Sequence, residues 1–312
     1  MADALPAVSF RASAVGGDVS EPRVCPTNAL VLRRRVILLI HGFNVDEEHG
    51  RAAYERFVAR LREMLVVQRD GPVAGDRLVA VYWPGDADWG FAKPLAYMRS
   101  VPRARDIGAR LAQLLDDAAA ANGLVEVDIV AHSLGCRLAL EALLAVHGNP
   151  QSRVHIRRIQ LMAAAVPTFM LFDPDDAPRL RDAFEQSLEI GAKSLYSAAD
   201  GVLSFAFPPG QTFAGDGEGF LPTAVGHAKF PVQSELTRMD PIEMPDAGHG
   251  SYWSGDYPDE SATVAYIAHD FLQLPDALER ATPQRASPRR AIAEAPAIAA
   301  RSTPDRTIGE SC

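Results

Sequence analysis

The sequence predicts an α/β protein with a mostly parallel central sheet and helices on both faces. Three observations predict it. Short β-branched and leucine-rich runs recur along the chain, amphipathic helical stretches alternate with them, and a serine sits where one such run gives way to a helix. With 312 residues, 47 % hydrophobic and 23 % charged, the chain can bury a sizeable core, which excludes a disulfide-stapled mini-protein and a wholly disordered chain.

Residues 1–30 mix proline, glycine, serine and charge and read as an irregular lead-in with one short strand near Val24; residues 31–275 read as one folded domain. RVILLIH at 35–41 is flanked by charge and glycine and reads as a strand buried on both faces. Tyr54, Phe57, Val58, Leu61, Met64 and Leu65 then recur at helical spacing. RLVAVYWPG at 77–85 gives a second strand, stopped by Pro84 and Gly85. Ile107, Leu111, Leu114, Leu115 and Ala118 mark a helix with Pro102 near its start and Asn122-Gly123 at its end. VEVDIVAHS at 125–133 reads as a central strand entering the helix of Leu138, Ala139, Ala142, Leu143 and Val146. Further strands are expected at 156–166, 192–198 and 234–240, with helices around Leu180, Phe184 and Leu188 and over 261–272. The glycine-rich, apolar stretch 201–226 reads either as an excursion over a binding site or as a loop packed by its own aromatics. Residues 276–312 contain no aromatic residue and repeat Pro, Arg and Ala, the composition of a disordered tail.

The formal charge of −9 argues against a broad nucleic-acid surface, because phosphate contacts need concentrated positive charge. The longest strongly apolar runs, such as VILLI at 36–40, are far too short to span a bilayer, so no integral membrane contact is expected. The first residues lack a basic stretch followed by an apolar one, and Cys25, Cys136 and Cys312 have neither CxxC nor metal-ligand spacing. A cytoplasmic protein without metal is therefore expected. No Gly-x-Gly-x-x-Gly follows an early strand and no HExxH occurs, so neither a dinucleotide cofactor nor a metalloprotease centre is expected.

Ala131-His132-Ser133-Leu134-Gly135 lies at the strand-to-helix junction, where a sharp turn exposes a serine oxygen and small neighbours let the chain pass. Ser133 is the candidate nucleophile; the bland alternative is a serine capping the following helix. His41-Gly42-Phe43-Asn44 follows the first strand, and its turn can aim the Phe43 N–H, with that of Leu134, at the oxygen of an attacked carbonyl. His41 itself reads as a packed residue fixing that loop. A neutral serine needs a histidine base: His249, in a loop after the last strand, is favoured over the loop-borne His227, and the side chain of His132 is expected to point elsewhere. Asp200, at the end of the 192–198 strand, gives the chain order Ser, Asp, His; Asp173, Asp175 and Asp176 are its rivals. Asn44, Trp83, Trp89, Tyr252 and Trp253 are candidates to line a substrate pocket.

HGFNV at 41–45, YWPG at 82–85, AHSLG at 131–135, YSAAD at 196–200 and GHGSYW at 248–253 resemble the alpha/beta-hydrolase superfamily. They are most similar to a largely uncharacterised bacterial branch, known as a domain of unknown function or predicted esterase/lipase. The resemblance covers about residues 33–272. It implies the alpha/beta-hydrolase fold and a serine, acid and histidine that fall by motif on Ser133, Asp200 and His249. Two departures stand out: Ala131 replaces the commoner glycine, and AAAVPTF at 163–169 lacks an Ala-Pro-Asp-like sequence. The expected activity is hydrolysis of a small-molecule carboxylic ester with an apolar acyl group. Acyl transfer or amide hydrolysis by the same residues, and a noncatalytic binding protein on this fold, are the alternatives.

Overall fold

A computed structural model describes residues 5–13, 18–30, 34–67, 78–86, 93–172, 178–215, 217–227, 236, 238–245 and 247–253. Eight strands form one sheet: β1 (Ala7–Arg11), β2 (Val19–Cys25), β3 (Arg35–Ile40), β4 (Leu78–Tyr82), β5 (Val125–His132), β6 (Val154–Met162), β7 (Gly191–Tyr196) and β8 (Met239–Glu243). Their order is β2-β1-β4-β3-β5-β6-β7-β8, and every pair is parallel except β1 with β2. The helices are α1 (Glu47–Val67), α2 (Lys93–Asn122), α3 (Leu134–Gly148), α4 (Phe169–Phe172), α5 (Pro178–Ser187) and α6 (Phe207–Thr212), with a π-helical turn over Val202–Ala206.

Alternation along β3 divides the core between two faces, as a two-residue side-chain period requires. Val36, Leu38 and Ile40 pack with α2, α3 and α5, whereas Ile37 and Leu39 pack with α1 and the segment 247–253. The chain runs from β3 outward to β4 and then back across β3 to β5. That reversal makes a crevice at the carboxyl ends of β3 and β5, the place where open parallel sheets bind ligands. His41 and Ser133 follow those two strands.

Three expectations need correction. The stretch read as an irregular lead-in holds the strand expected near Val24, which is β2, but also β1, and the two form a hairpin that joins the sheet through β1 and β4. Its signal is faint because only Val8 and Phe10 point into the core beside a buried Arg11, while β2 is a half-exposed edge strand that tolerates Pro22. Pro102 lies inside α2, which begins at Lys93. The buried stripe runs straight through it, from Ala96 and Val101 to Ala104 and Ile107, so packing offsets the roughly 3 kcal/mol that an interior proline costs. The last strand occupies Met239–Glu243 and not 234–240, paired from Ala192↔Met239 to Tyr196↔Glu243. The helix expected over 261–272 and the tail 276–312 lie outside the described residues.

Candidate active site

Ser133 sits between β5 and α3 with φ 53° and ψ −125°, a left-handed conformation that costs a non-glycine residue about 1–3 kcal/mol. Surrounding hydrogen bonds enforce it: the Ser133 N–H donates to the Met162 carbonyl (2.9 Å), and the Ser133 carbonyl accepts from Cys136 (3.0 Å) and Ala165 (3.1 Å). The turn also needs Gly135, since a Cβ there would lie 2.3 Å from the His41 carbonyl oxygen. Ala131, in the position where glycine is commoner, is fully buried in β5, paired with Ile40 and Leu161.

His249 reaches this serine across the sheet ends. Its Nε2 is 2.8 Å from Ser133 Oγ and its Nδ1 is 2.8 Å from Asp200 Oδ2. The Nδ1–H donates to the carboxylate, which leaves the Nε2 lone pair to accept the serine O–H. Asp200 is fully buried just past β7, and its Oδ1 accepts the N–H groups of Val202 and Leu203, both at 3.0 Å. The π-helical turn thus orients the carboxylate that orients the histidine. Residues 173–177, with the rival Asp173, Asp175 and Asp176, lie outside the described residues. His227 faces Ser204 Oγ at 3.3 Å and does not serve Ser133.

The loop after β3 presses on the nucleophile, because a Cβ on Gly42 would come 2.7 Å from Ser133 Cβ. Two bonds pin it. The Asn44 N–H, at φ 59°, donates to the Gly85 carbonyl (2.9 Å), and Asp46 Oδ1 accepts the His49 N–H (2.8 Å) at the start of α1. Neither the Phe43 nor the Leu134 N–H has an acceptor in the described hydrogen bonds. His41 is packed as expected: its Nδ1–H donates to the Gly42 carbonyl (2.9 Å), its Nε2 accepts the Trp83 N–H (3.3 Å), and burial lowers its pKa to about 4.

Trp83 does not form an open pocket wall. It is fully buried, its indole N–H donates to the His41 carbonyl (2.8 Å), and its ring stacks on His41 with centroids 5.7 Å apart. Tyr252 and Trp253 are also buried, Trp253 edge-on to Tyr54 and Phe57 of α1, so they hold the base's loop in the core and offer little surface to a ligand. Asn44 is exposed, and Trp89 lies outside the described residues. In the 201–226 excursion, Phe207 is buried whereas Phe205, Phe213 and Phe220 are exposed.

Sequence reasoning set His132 aside, yet its Nε2 lies 2.7 Å from the His249 carbonyl oxygen. The signal was the two-residue period of β5, which puts His132 on the face of Val130, toward α1 and 247–253. Reasoning also missed the buried pair Arg137–Glu218 (2.8 Å), which ties the excursion to α3. Nothing in the sequence marks Glu218 as buried. Among the described residues, no cluster of His, Cys, Asp and Glu is arranged to hold a metal ion, and no helix is long and apolar enough to cross a membrane.

A nucleophile on a strained strand-to-helix turn, a histidine and a buried carboxylate at the ends of parallel strands make this a serine-hydrolase triad on an alpha/beta-hydrolase fold. Residues 29–193, more than half of the chain, match the family described as alpha/beta hydrolase of unknown function (DUF900), and the chain belongs to that family. No curated protein matches it. Among solved structures it is similar to the lin2722 gene product of Listeria innocua, with 12% identity, TM-score 0.43 and coverage of 78% of this chain and 96% of that one. Another is the LpqC poly(3-hydroxybutyrate) depolymerase of Bordetella parapertussis, with 15% identity, TM-score 0.41 and coverage of 80% and 84%. A cold-adapted esterase from an Arctic intertidal metagenomic library has 17% identity, TM-score 0.38 and coverage of 76% and 81%.

Proposed function

We propose that the protein hydrolyses small carboxylic esters, preferring an apolar acyl group, through an acyl-enzyme intermediate on Ser133. The observation that carries this reading is the hydrogen-bonded line from Ser133 Oγ through the His249 ring to Asp200, each link 2.8 Å. His249 Nε2 takes the serine proton as Oγ attacks the ester carbonyl, and Asp200 stabilises the imidazolium. The N–H groups of Phe43 and Leu134 hold the tetrahedral oxyanion, each worth roughly 2.7–4 kcal/mol of transition-state stabilisation. His249 then protonates the departing alkoxide; water, deprotonated by the same nitrogen, releases the acid and restores the serine. The exposed Phe205, Phe213 and Phe220 on the segment following Asp200 support the apolar preference.

A fluorophosphonate reaction followed by peptide mass analysis, beside a panel of short, medium and long acyl esters, tests the proposal. The label is expected on Ser133 alone, and Ser133→Ala is expected to abolish labelling and lower turnover by at least about 10³-fold. Normally folded protein that neither labels nor turns over any ester would defeat it. Products formed with competing alcohols and amines separate hydrolysis from acyl transfer.

A further inference from the structure

We infer that His132 is a positioning residue for the catalytic base, the donor that fixes the His249 main chain relative to the nucleophile; this rests on the serine-hydrolase reading above. His132 ends β5 and immediately precedes Ser133, so its backbone cannot move without the nucleophile. Its ring is buried, and its two nitrogens face the two loops that must converge on the serine. On one edge, Nε2 lies 2.7 Å from the His249 carbonyl oxygen; on the other, a Cβ on Gly42 would come 3.0 Å from Nδ1.

A carbonyl oxygen only accepts, so Nε2 carries the hydrogen and Nδ1 the lone pair. Burial, reinforced by the charge that His249 acquires, lowers the pKa of His132 to about 3, which keeps the ring a neutral donor throughout turnover. A second cation 5.1 Å from the His249 ring centroid would oppose the imidazolium of the transition state. Within the segment 247–253, the Ala247 N–H donates to the Met244 carbonyl and the Ser251 N–H to the Gly248 carbonyl, local turns that shape the loop. The His132 bond joins that loop to the residue preceding the nucleophile, so it sets the reach from base to serine.

The test uses the full-length protein with labelled histidines and the variants His132→Gln and His132→Leu. Nitrogen NMR of the wild type at neutral pH is expected to find His132 protonated at Nε2 only. His132→Leu is expected to slow both fluorophosphonate labelling of Ser133 and kcat by about 10- to 100-fold, with KM within about threefold, because misplaced reacting groups cost rate more than binding. His132→Gln, whose amide N–H can donate to the same carbonyl, is expected to recover at least half of that loss on a logarithmic scale. A hydrogen on Nδ1, wild-type labelling by His132→Leu, or equal impairment of both variants would overturn the proposal. If His132→Leu does not fold, the tautomer and the rate of His132→Gln decide: an Nε2–H with near-wild-type labelling supports it and the reverse refutes it. Labelling and NMR need no ester, so wild type that labels Ser133 but cleaves no ester refutes only the substrate.

Discussion

Asp200 uses its two carboxylate oxygens for different tasks, and that division makes its substitution informative. Oδ1 accepts two main-chain N–H groups and Oδ2 accepts the His249 Nδ1–H. In Asp200→Asn the amide oxygen keeps the place of Oδ1, because only an acceptor fits there, and the NH₂ then faces His249. The imidazole must turn its lone pair to Nδ1 and its hydrogen to Nε2, where it can no longer take the serine proton. Turnover is expected to fall about 10³- to 10⁴-fold with little change in melting temperature, measured by steady-state kinetics and thermal unfolding. Recovery of full rate would show that the carboxylate does not set the tautomer. Gly42→Ala tests the neighbouring loop: with Cβ 2.7 Å from that of Ser133, the backbone must retreat, and kcat is expected to drop at least about 10-fold without a matching rise in KM. Ser133, Asp200 and His249 were legible because each chemistry demands one residue type at one kind of strand end. His132 was not, since its role depends on the carbonyl that it meets 117 residues later.

At the scale of elements, the buried strands announced themselves and the edges did not. Strand β3 is buried at all six positions, and the apolar stripes of α1 and α2 could be read from spacing alone. The hairpin β1–β2 and strand β8 lie at the two sides of the sheet, where half the surface is wet and the alternation dilutes. Strand β1 also depends on a buried charge: Arg11 pairs with Asp86 (2.6 Å) and donates to the Trp83 carbonyl (3.0 Å), bracing the turn whose Gly85 carbonyl holds Asn44. The excursion after Asp200 is anchored similarly. Glu218, almost fully buried, accepts from Arg137 at 2.8 and 3.1 Å and from Gln211, whose Oε1 accepts the Tyr97 O–H (3.0 Å). Arg137 also pairs with Glu141 (2.7 Å), so removing Glu218 takes away one of the two carboxylates that balance this buried cation. Glu218→Ala is therefore expected to cost about 1–3 kcal/mol in urea unfolding, whereas the double variant Arg137→Met, Glu218→Leu is expected to recover part of it. A loss below 1 kcal/mol in the single variant would mean that water already screens the pair.

For the whole molecule, two buried histidines beside the active site couple its stability to acid. His41 and His132 stay neutral in the folded protein, their pKa values lowered from 6.5 to about 4 and about 3, in each case chiefly by burial. The unfolded chain has no such burial. Below pH 6.5 it binds a proton at each histidine that the folded state refuses, and since the unfolded state then holds more protons, stability falls as pH falls. Each histidine contributes up to about 1.4 kcal/mol per pH unit across its window, from 6.5 down to its folded value, and no contribution remains above 6.5. Paired carboxylates add their own losses in acid, so the total slope alone identifies nothing; a difference between two proteins does. His132→Gln removes one titrating group while its amide can still donate to the His249 carbonyl. Between pH 7.5 and 5.0, urea unfolding of the wild type is expected to lose about 2 kcal/mol more than unfolding of this variant, with the two proteins' losses converging when both measurements are made above pH 7. Parallel losses over the acid range would show that His132 takes up its proton in the folded protein, and the neutral donor beside the base would have to be abandoned.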